Sequence, residues 1–145
     1  MLSFLSCYTG KMNYACPVNG VKIAWFGRHF GEEPPLVGNK GAGTVFFSGC
    51  NLHCVYCQNY QISQQGIGEN YSIDELAEIM LKLQNDGAKN IDLVTPTIWA
   101  EQIKQAIVKA KGRGLKIPII WNSNGYDGAE LIRNMEGLID IYLPD

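Results

Sequence analysis

From residue 43 onward, short apolar runs alternate with longer stretches in which apolar residues recur at helical spacing. The runs Thr44–Phe47, Ile91–Val94, Ile117–Trp121 and Leu138–Leu143 are short and rich in β-formers, as buried strands are. Between the first two, Ile73, Leu76, Ala77, Met80 and Leu83 make one apolar stripe of a helix. Trp99, Ile103, Ala106, Ile107 and Ala110 make a second, over a helix running from about Trp99 to Lys111. A short third helix is predicted over Ala129–Glu136.

The residues between these patterns supply starts and stops. Ser72 and Glu75 have capping-box spacing, so each side chain can satisfy the other's backbone N–H. Tyr71 and Leu76 occupy the two positions of a hydrophobic staple around them. Gly87 is placed to end the first helix in a left-handed cap, Gly112 and Gly114 to stop the second, and Gly137 to end the third. Pro118 has no N–H to give a ladder and should lie near its strand's start.

Residues 1–42 break the rhythm. They are dense in turn formers, including Glu32–Pro35 and Gly38–Gly43, and predict an irregular N-terminal leader with one short strand over Val21–Phe26. The division expected is therefore a leader, 1–42, and a regular unit, 43–145, of order β-α-β-α-β-α-β. Such alternation defines an α/β fold with parallel strands and right-handed crossovers. Sites in these folds lie at the C-terminal strand ends. That rule selects Gly49–Asn59, Thr95–Thr97, Asn122–Tyr126 and Pro144–Asp145. No helix follows the last strand to cover its open edge, so the unit reads as the first four strands of a longer, barrel-like domain. A small four-stranded domain that dimerises through that edge is the alternative.

Charge narrows the possible partners. Twelve Lys and Arg against fourteen Asp and Glu, scattered along the chain, offer no footprint for nucleic acid. Nor is there a polybasic patch or a spanning apolar run for a membrane. The start, Met1 to Cys7, has no charged region ahead of its apolar residues, which argues against an export signal.

Five cysteines, an odd number, do not make a closed disulfide framework. Cys50, Cys54 and Cys57 lie within eight residues, directly after the first strand of the regular unit, and such clustering points to metal or catalysis. Thiolates suit iron–sulfur clusters, zinc or copper. A four-iron cluster usually takes four cysteines. Three would leave one iron open to a cofactor or substrate atom, as metal catalysis requires. A zinc site would need His53 as fourth ligand, but His53 adjoins Cys54 and the two reach one tetrahedral ion poorly.

The segment Gly43–Tyr60, with its C-x-x-x-C-x-x-C spacing and an aromatic before the third cysteine, resembles the radical S-adenosylmethionine superfamily. More narrowly, it is similar to pyruvate formate-lyase activating enzyme-like iron–sulfur proteins, as are His29–Pro34, Asn90–Thr97, Asn122–Tyr126 and Asp140–Asp145. The resemblance spans about residues 28–145 and implies a partial (β/α) barrel of radical SAM type. It also implies a [4Fe-4S] cluster on Cys50, Cys54 and Cys57, with S-adenosylmethionine chelating the fourth iron. One-electron cleavage would give methionine and a 5′-deoxyadenosyl radical that abstracts hydrogen, with glycyl-radical enzyme activation as one outcome. The protein binds, orients and shields. The expected partners are a reductant protein of flavodoxin or ferredoxin type and, for an activating enzyme, a protein substrate. The expected setting is cytoplasmic and oxygen-poor. An iron–sulfur electron carrier or redox sensor without this chemistry is the competing reading.

The resemblance also implies residue roles. Tyr56 matches the aromatic position near the adenine, with a structural tyrosine as the competing reading. Thr95, Pro96 and Thr97 stand where many relatives carry a Gly-Gly-Glu type motif, so recognition of the amino group falls to other atoms here. The narrower group often has Thr-Pro-Thr-His at this point, and this chain has Ile98 instead. Asn122, Ser123 and Asn124 are placed to meet the methionyl or ribose groups, and Asp145 matches a family aspartate. Each of these polar residues could equally serve a turn. No catalytic residue is assigned. Cys7 and Cys16 are expected to be unligated, or remnants of the N-terminal cysteine-rich segment that relatives of the narrower group often have. Glu32 and Glu33 are read as a solvated turn unless the family uses them.

Overall fold

The computed structural model describes residues 19–145, so Cys7, Cys16 and the first residues of the leader lie outside the described residues. The strands are β1 (Gly20–His29), β2 (Ala42–Phe47), β3 (Glu69–Ser72), β4 (Ile91–Val94), β5 (Ile119–Ser123) and β6 (Ile141–Pro144). The helices are α1 (Pro34–Val37), α2 (Tyr60–Ser63), α3 (Ile73–Asn85), α4 (Ala100–Gly112) and α5 (Ala129–Asn134), with a 3₁₀ turn over Thr97–Trp99 leading into α4. One six-stranded sheet runs in the order β3-β1-β2-β4-β5-β6. Strands β2, β4, β5 and β6 are parallel and alternate with helices, consistent with a partial (β/α) barrel.

The four parallel strands are those expected, each shifted by no more than three residues from its sequence-based bounds. The leader is where the structure differs. Its short strand is a full ten-residue β1, antiparallel to both β2 and β3. Polar edge strand β3 (Glu69, Asn70, Tyr71, Ser72) has no apolar alternation to betray it; pairing with the first residues of β1 makes it a strand. The turns α1 and α2 are too short for a periodic signal.

Alternation along the strands sorts the two faces of the sheet. Val21, Ile23, Val45, Phe47, Ile91, Leu93, Ile119 and Trp121 point to one side, and with Leu76, Met80, Leu83, Trp99, Ile103 and Ile107 form the core under α3 and α4. All five members of the α4 stripe are fully buried. The opposite face carries Trp25, Phe46, Thr44, Asp92 and Asn122, as the register Trp25–Phe46, Thr44–Asp92 and Val94–Asn122 requires.

The caps predicted for α3 form. Ser72 Oγ accepts from Glu75 N–H at 3.2 Å, and Ser72 N–H donates to Glu75 Oε2 at 2.7 Å. Gly87 follows α3 with φ 87°, a conformation that costs glycine little. Removing the cap hydroxyl in Ser72→Ala should lower stability by about 1 kcal/mol. In urea titrations the midpoint should fall with the slope unchanged; an unmoved midpoint would show that the cap contributes nothing.

Candidate metal centre and cofactor site

The cysteine loop leaves the C-terminal end of β2. Gly49, with φ 89°, turns the chain out of the strand, and its N–H donates to Ile62 O at 3.0 Å, closing the loop's base. Trp99, wholly buried, anchors that base from beneath by donating Nε1–H to Ser48 O at 2.9 Å. The start of α4 and the start of the loop are thereby tied together.

Cys50, Cys54 and Cys57 are all free thiols. Cys50 is buried, and its Sγ accepts from Leu52 N–H and from Asn124 Nδ2, each at 3.4 Å. Cys57 Sγ lies 3.2 Å from Ser63 Oγ. The Cys54 carbonyl accepts from Cys57 N–H at 3.2 Å and from Gln64 Nε2 at 2.9 Å, which fixes the turn between the second and third cysteines. His53, with φ 54°, gives the loop its second left-handed residue. It is exposed, as a lone histidine in a turn commonly is.

This donor set fits an iron–sulfur cluster. Its ligands are soft thiols, and one of them already accepts the N–H···S hydrogen bonds that tune such clusters. Among the described residues no three His, Cys, Asp or Glu side chains close on a point as a single metal ion requires. A cluster makes no such demand, because each thiolate meets a different iron.

The other sequence-selected residues gather at the neighbouring strand ends, in three arrangements. Asn124, after β5, reaches Cys50 and also donates to Asn51 Oδ1 at 2.7 Å; Asn51 in turn donates to Tyr126 O at 2.9 Å. Thr97 Oγ1 donates to Asp127 Oδ1 at 2.7 Å, and Ser123 Oγ donates to the other oxygen of the same carboxylate. Asp127 thus clamps the ends of β4 and β5. Thr95 has φ 56°, a rare conformation for a β-branched residue, and its N–H donates to Asn122 O at 2.9 Å. Strain of about 1–3 kcal/mol is stored there, at the strand end next to the cysteine loop. Pro96 is buried behind it. Asp145 meets the group only through its N–H, on Ser123 O at 2.9 Å. Tyr56 and Val55 project from the loop, 86% and 99% exposed.

Asn122 pairs with Val94 and turns to the same face of the sheet as Asp92. Thr44 Oγ1 donates to Asp92 Oδ2 at 3.3 Å, while Asp92 Oδ1 has no partner among the described residues. Burial pushes the Asp92 carboxyl up to about 7; the Glu32 charge adds to the rise, and the polar Asn122 and Thr44 side chains oppose it. Burial likewise raises Glu32, against the opposing pull of His29, whose Nε2 is 4.0 Å away.

Asn51, Asp127 and Asp92 were not selected from the sequence. Asn51 and Asp127 lie inside or beside segments that the strand-end rule did select. Asp92 left a clearer mark: a charge in the middle of a four-residue apolar strand, where an unpaired carboxylate is costly.

The loop's three free thiols sit at a parallel-strand end of a sheet consistent with a partial (β/α) barrel, and the Radical SAM superfamily matches residues 44–143. The chain belongs to that superfamily, whose members bind a [4Fe-4S] cluster and S-adenosylmethionine. It is also 36% identical over 126 residues to an uncharacterized protein of Methanocaldococcus jannaschii, a match covering 81% of this chain and 35% of that protein. The chain therefore spans about a third of that relative's length. Among the described residues no helix is long and apolar enough to cross a membrane.

Proposed function

We propose that Cys50, Cys54 and Cys57 each hold one iron of a [4Fe-4S] cluster whose fourth iron takes S-adenosylmethionine, and that the chain is part of a radical enzyme. The observation that carries this reading is the placement of three free thiols on one loop at the C-terminal end of a parallel strand, with Cys50 Sγ already accepting two N–H groups. When bound, the cluster, once reduced by an electron from the reductant protein, would supply one-electron cleavage of the sulfonium C–S bond of S-adenosylmethionine.

The chain's own residues bind and orient. Asn124 donates to Cys50 Sγ, drawing charge from the sulfur and making the cluster easier to reduce. Asn51 locks Asn124 in that orientation, as outer partners do for metal ligands. The Thr97–Asp127–Ser123 bridge fixes the strand ends that would face the cofactor. Thr95, Pro96 and the exposed Tyr56 ring are the remaining groups we assign to it, with Asp145 at the edge. Exposed Leu52, Val55 and Tyr126 beside the loop offer a surface to a reductant protein of flavodoxin or ferredoxin type.

A finer reading, activation of a glycyl-radical enzyme as the partner protein, is supported by the likeness of His29–Pro34, Asn90–Thr97, Asn122–Tyr126 and Asp140–Asp145 to activating enzyme-like proteins. We place the protein in an oxygen-poor cytoplasm on the same ground.

Electron paramagnetic resonance on the anaerobically reconstituted, reduced chain tests the site. Addition of S-adenosylmethionine should change the reduced-cluster signal. A cluster whose signal does not move would favour an electron carrier instead.

A further inference from the structure

A single turn of helix braces the cysteine loop from its far side. Helix α2 (Tyr60–Ser63) follows shortly after Cys57 and is closed by Ser63 N–H on Asn59 O and Gln64 N–H on Tyr60 O, each at 2.9 Å. At its end three consecutive residues reach back to the loop. Ile62 O accepts from Gly49 N–H at 3.0 Å, at the loop's base. Gln64 Nε2 donates to Cys54 O at 2.9 Å. Between them, Ser63 Oγ lies 3.2 Å from Cys57 Sγ.

The outer two contacts hold backbone, whereas the middle one meets a ligand atom. Ser63 is only 6% exposed, and a buried hydroxyl ordinarily has a partner. A serine in a helical turn can turn its hydroxyl onto the carbonyl four residues back. Among the described residues the Ser63 hydroxyl makes no such bond, and Cys57 Sγ is its one partner. The relation is mutual, because no other donor meets Cys57 Sγ among the described residues. Cys50 Sγ, by contrast, accepts from both Leu52 N–H and Asn124 Nδ2.

We infer that Ser63 is a positioning residue for the cluster: its hydroxyl donates to the ligated Cys57 sulfur, fixes that side chain and makes the cluster easier to reduce. The inference rests on the proposed ligation by Cys57. A ligating thiolate carries no proton, so the hydroxyl is then the donor of the pair. Reduction adds negative charge that the thiolates share, and a donor at a sulfur favours the reduced form. Asn124 at Cys50 and Ser63 at Cys57 thus act on two different ligands from opposite sides of the loop, one from the end of β5 and one from α2.

The test is a redox titration of the anaerobically reconstituted 145-residue chain, followed through the reduced-cluster resonance. Ser63→Ala should retain iron and sulfide at the parent's level. At the parent's midpoint its reduced-to-oxidised ratio should be about tenfold lower, a fall of about 59 mV for a one-electron couple. Ser63→Thr and Ser63→Val share one shape and differ in the hydroxyl. The threonine chain should titrate near the parent and the valine chain lower, a separation that a side chain serving only to fill space would not produce. If Ser63→Ala loses its cluster, that pair decides. Equal potentials in the threonine and valine chains overturn the proposal, as does a parental potential in Ser63→Ala. A parent that takes no cluster overturns the ligation reading as well. A parent whose cluster forms and responds to S-adenosylmethionine, with Ser63→Ala unmoved, overturns the role of Ser63 alone.

Discussion

Replacing Cys50 with alanine should cost the chain its cluster while leaving the fold in place. Loss of an outer partner of a metal ligand typically weakens metal sites about 10–100-fold, and loss of a ligand itself should exceed that. After anaerobic reconstitution, Cys50→Ala should therefore retain iron and sulfide only at background. Its visible charge-transfer absorption and reduced-cluster resonance should disappear. The far-ultraviolet circular dichroism should remain that of the parent, because the deleted sulfur is small and lies at the edge of the core. Two donors, Leu52 N–H and Asn124 Nδ2, lose their acceptor, at about 1–3 kcal/mol for a group that stays buried. The companion Asn124→Ala should keep the cluster but shift its reduction potential downward, since one N–H···S bond is gone. Full iron and sulfide in Cys50→Ala would remove Cys50 from the ligand set and with it the proposed cofactor geometry.

Asp92→Asn should make the chain more stable at neutral pH and flatten its pH dependence. The Asp92 carboxyl rises from its ordinary 3.8 to about 7 in the folded chain, chiefly through burial. The folded state therefore holds the proton that the unfolded state has already released between those two values. Stability is lost when the unfolded state binds fewer protons, so this group's contribution falls as pH rises from about 4 to about 7 and is level beyond. The displacement from 3.8 to about 7 bounds the loss at about 4 kcal/mol. Asparagine carries no charge to desolvate and can still pair with Thr44. Urea unfolding at pH 5 and pH 8 checks the sign. The parent should weaken between the two pH values, while Asp92→Asn should change far less and exceed the parent at pH 8. A parent as stable at pH 8 as at pH 5 would mean that Asp92 ionises without penalty.

The site was legible in the sequence where its chemistry is local. Cys50, Cys54 and Cys57 announce a thiolate site because their spacing alone puts them on one loop. Thr95–Thr97 and Asn122–Asn124 were found by the strand-end rule. What those side chains touch was not legible. Asn122 turns to the open face that carries Asp92, Ser123 and Thr97 meet on Asp127, and Asn124 alone reaches a cysteine. Neighbouring residues of a strand point to opposite faces, so a contiguous polar segment cannot serve a single site.

The sequence by itself determined the parallel strands, the α3 and α4 stripes, the capping box at Ser72 and the thiolate loop. Each is set by periodicity or spacing over a few residues. Only the tertiary structure decided that β1 lies between β2 and β3, that polar Glu69–Ser72 is a strand, and that Asp92 is buried. These depend on partners tens of residues away. Pairing supplies the hydrogen bonds and the burial that no local pattern encodes.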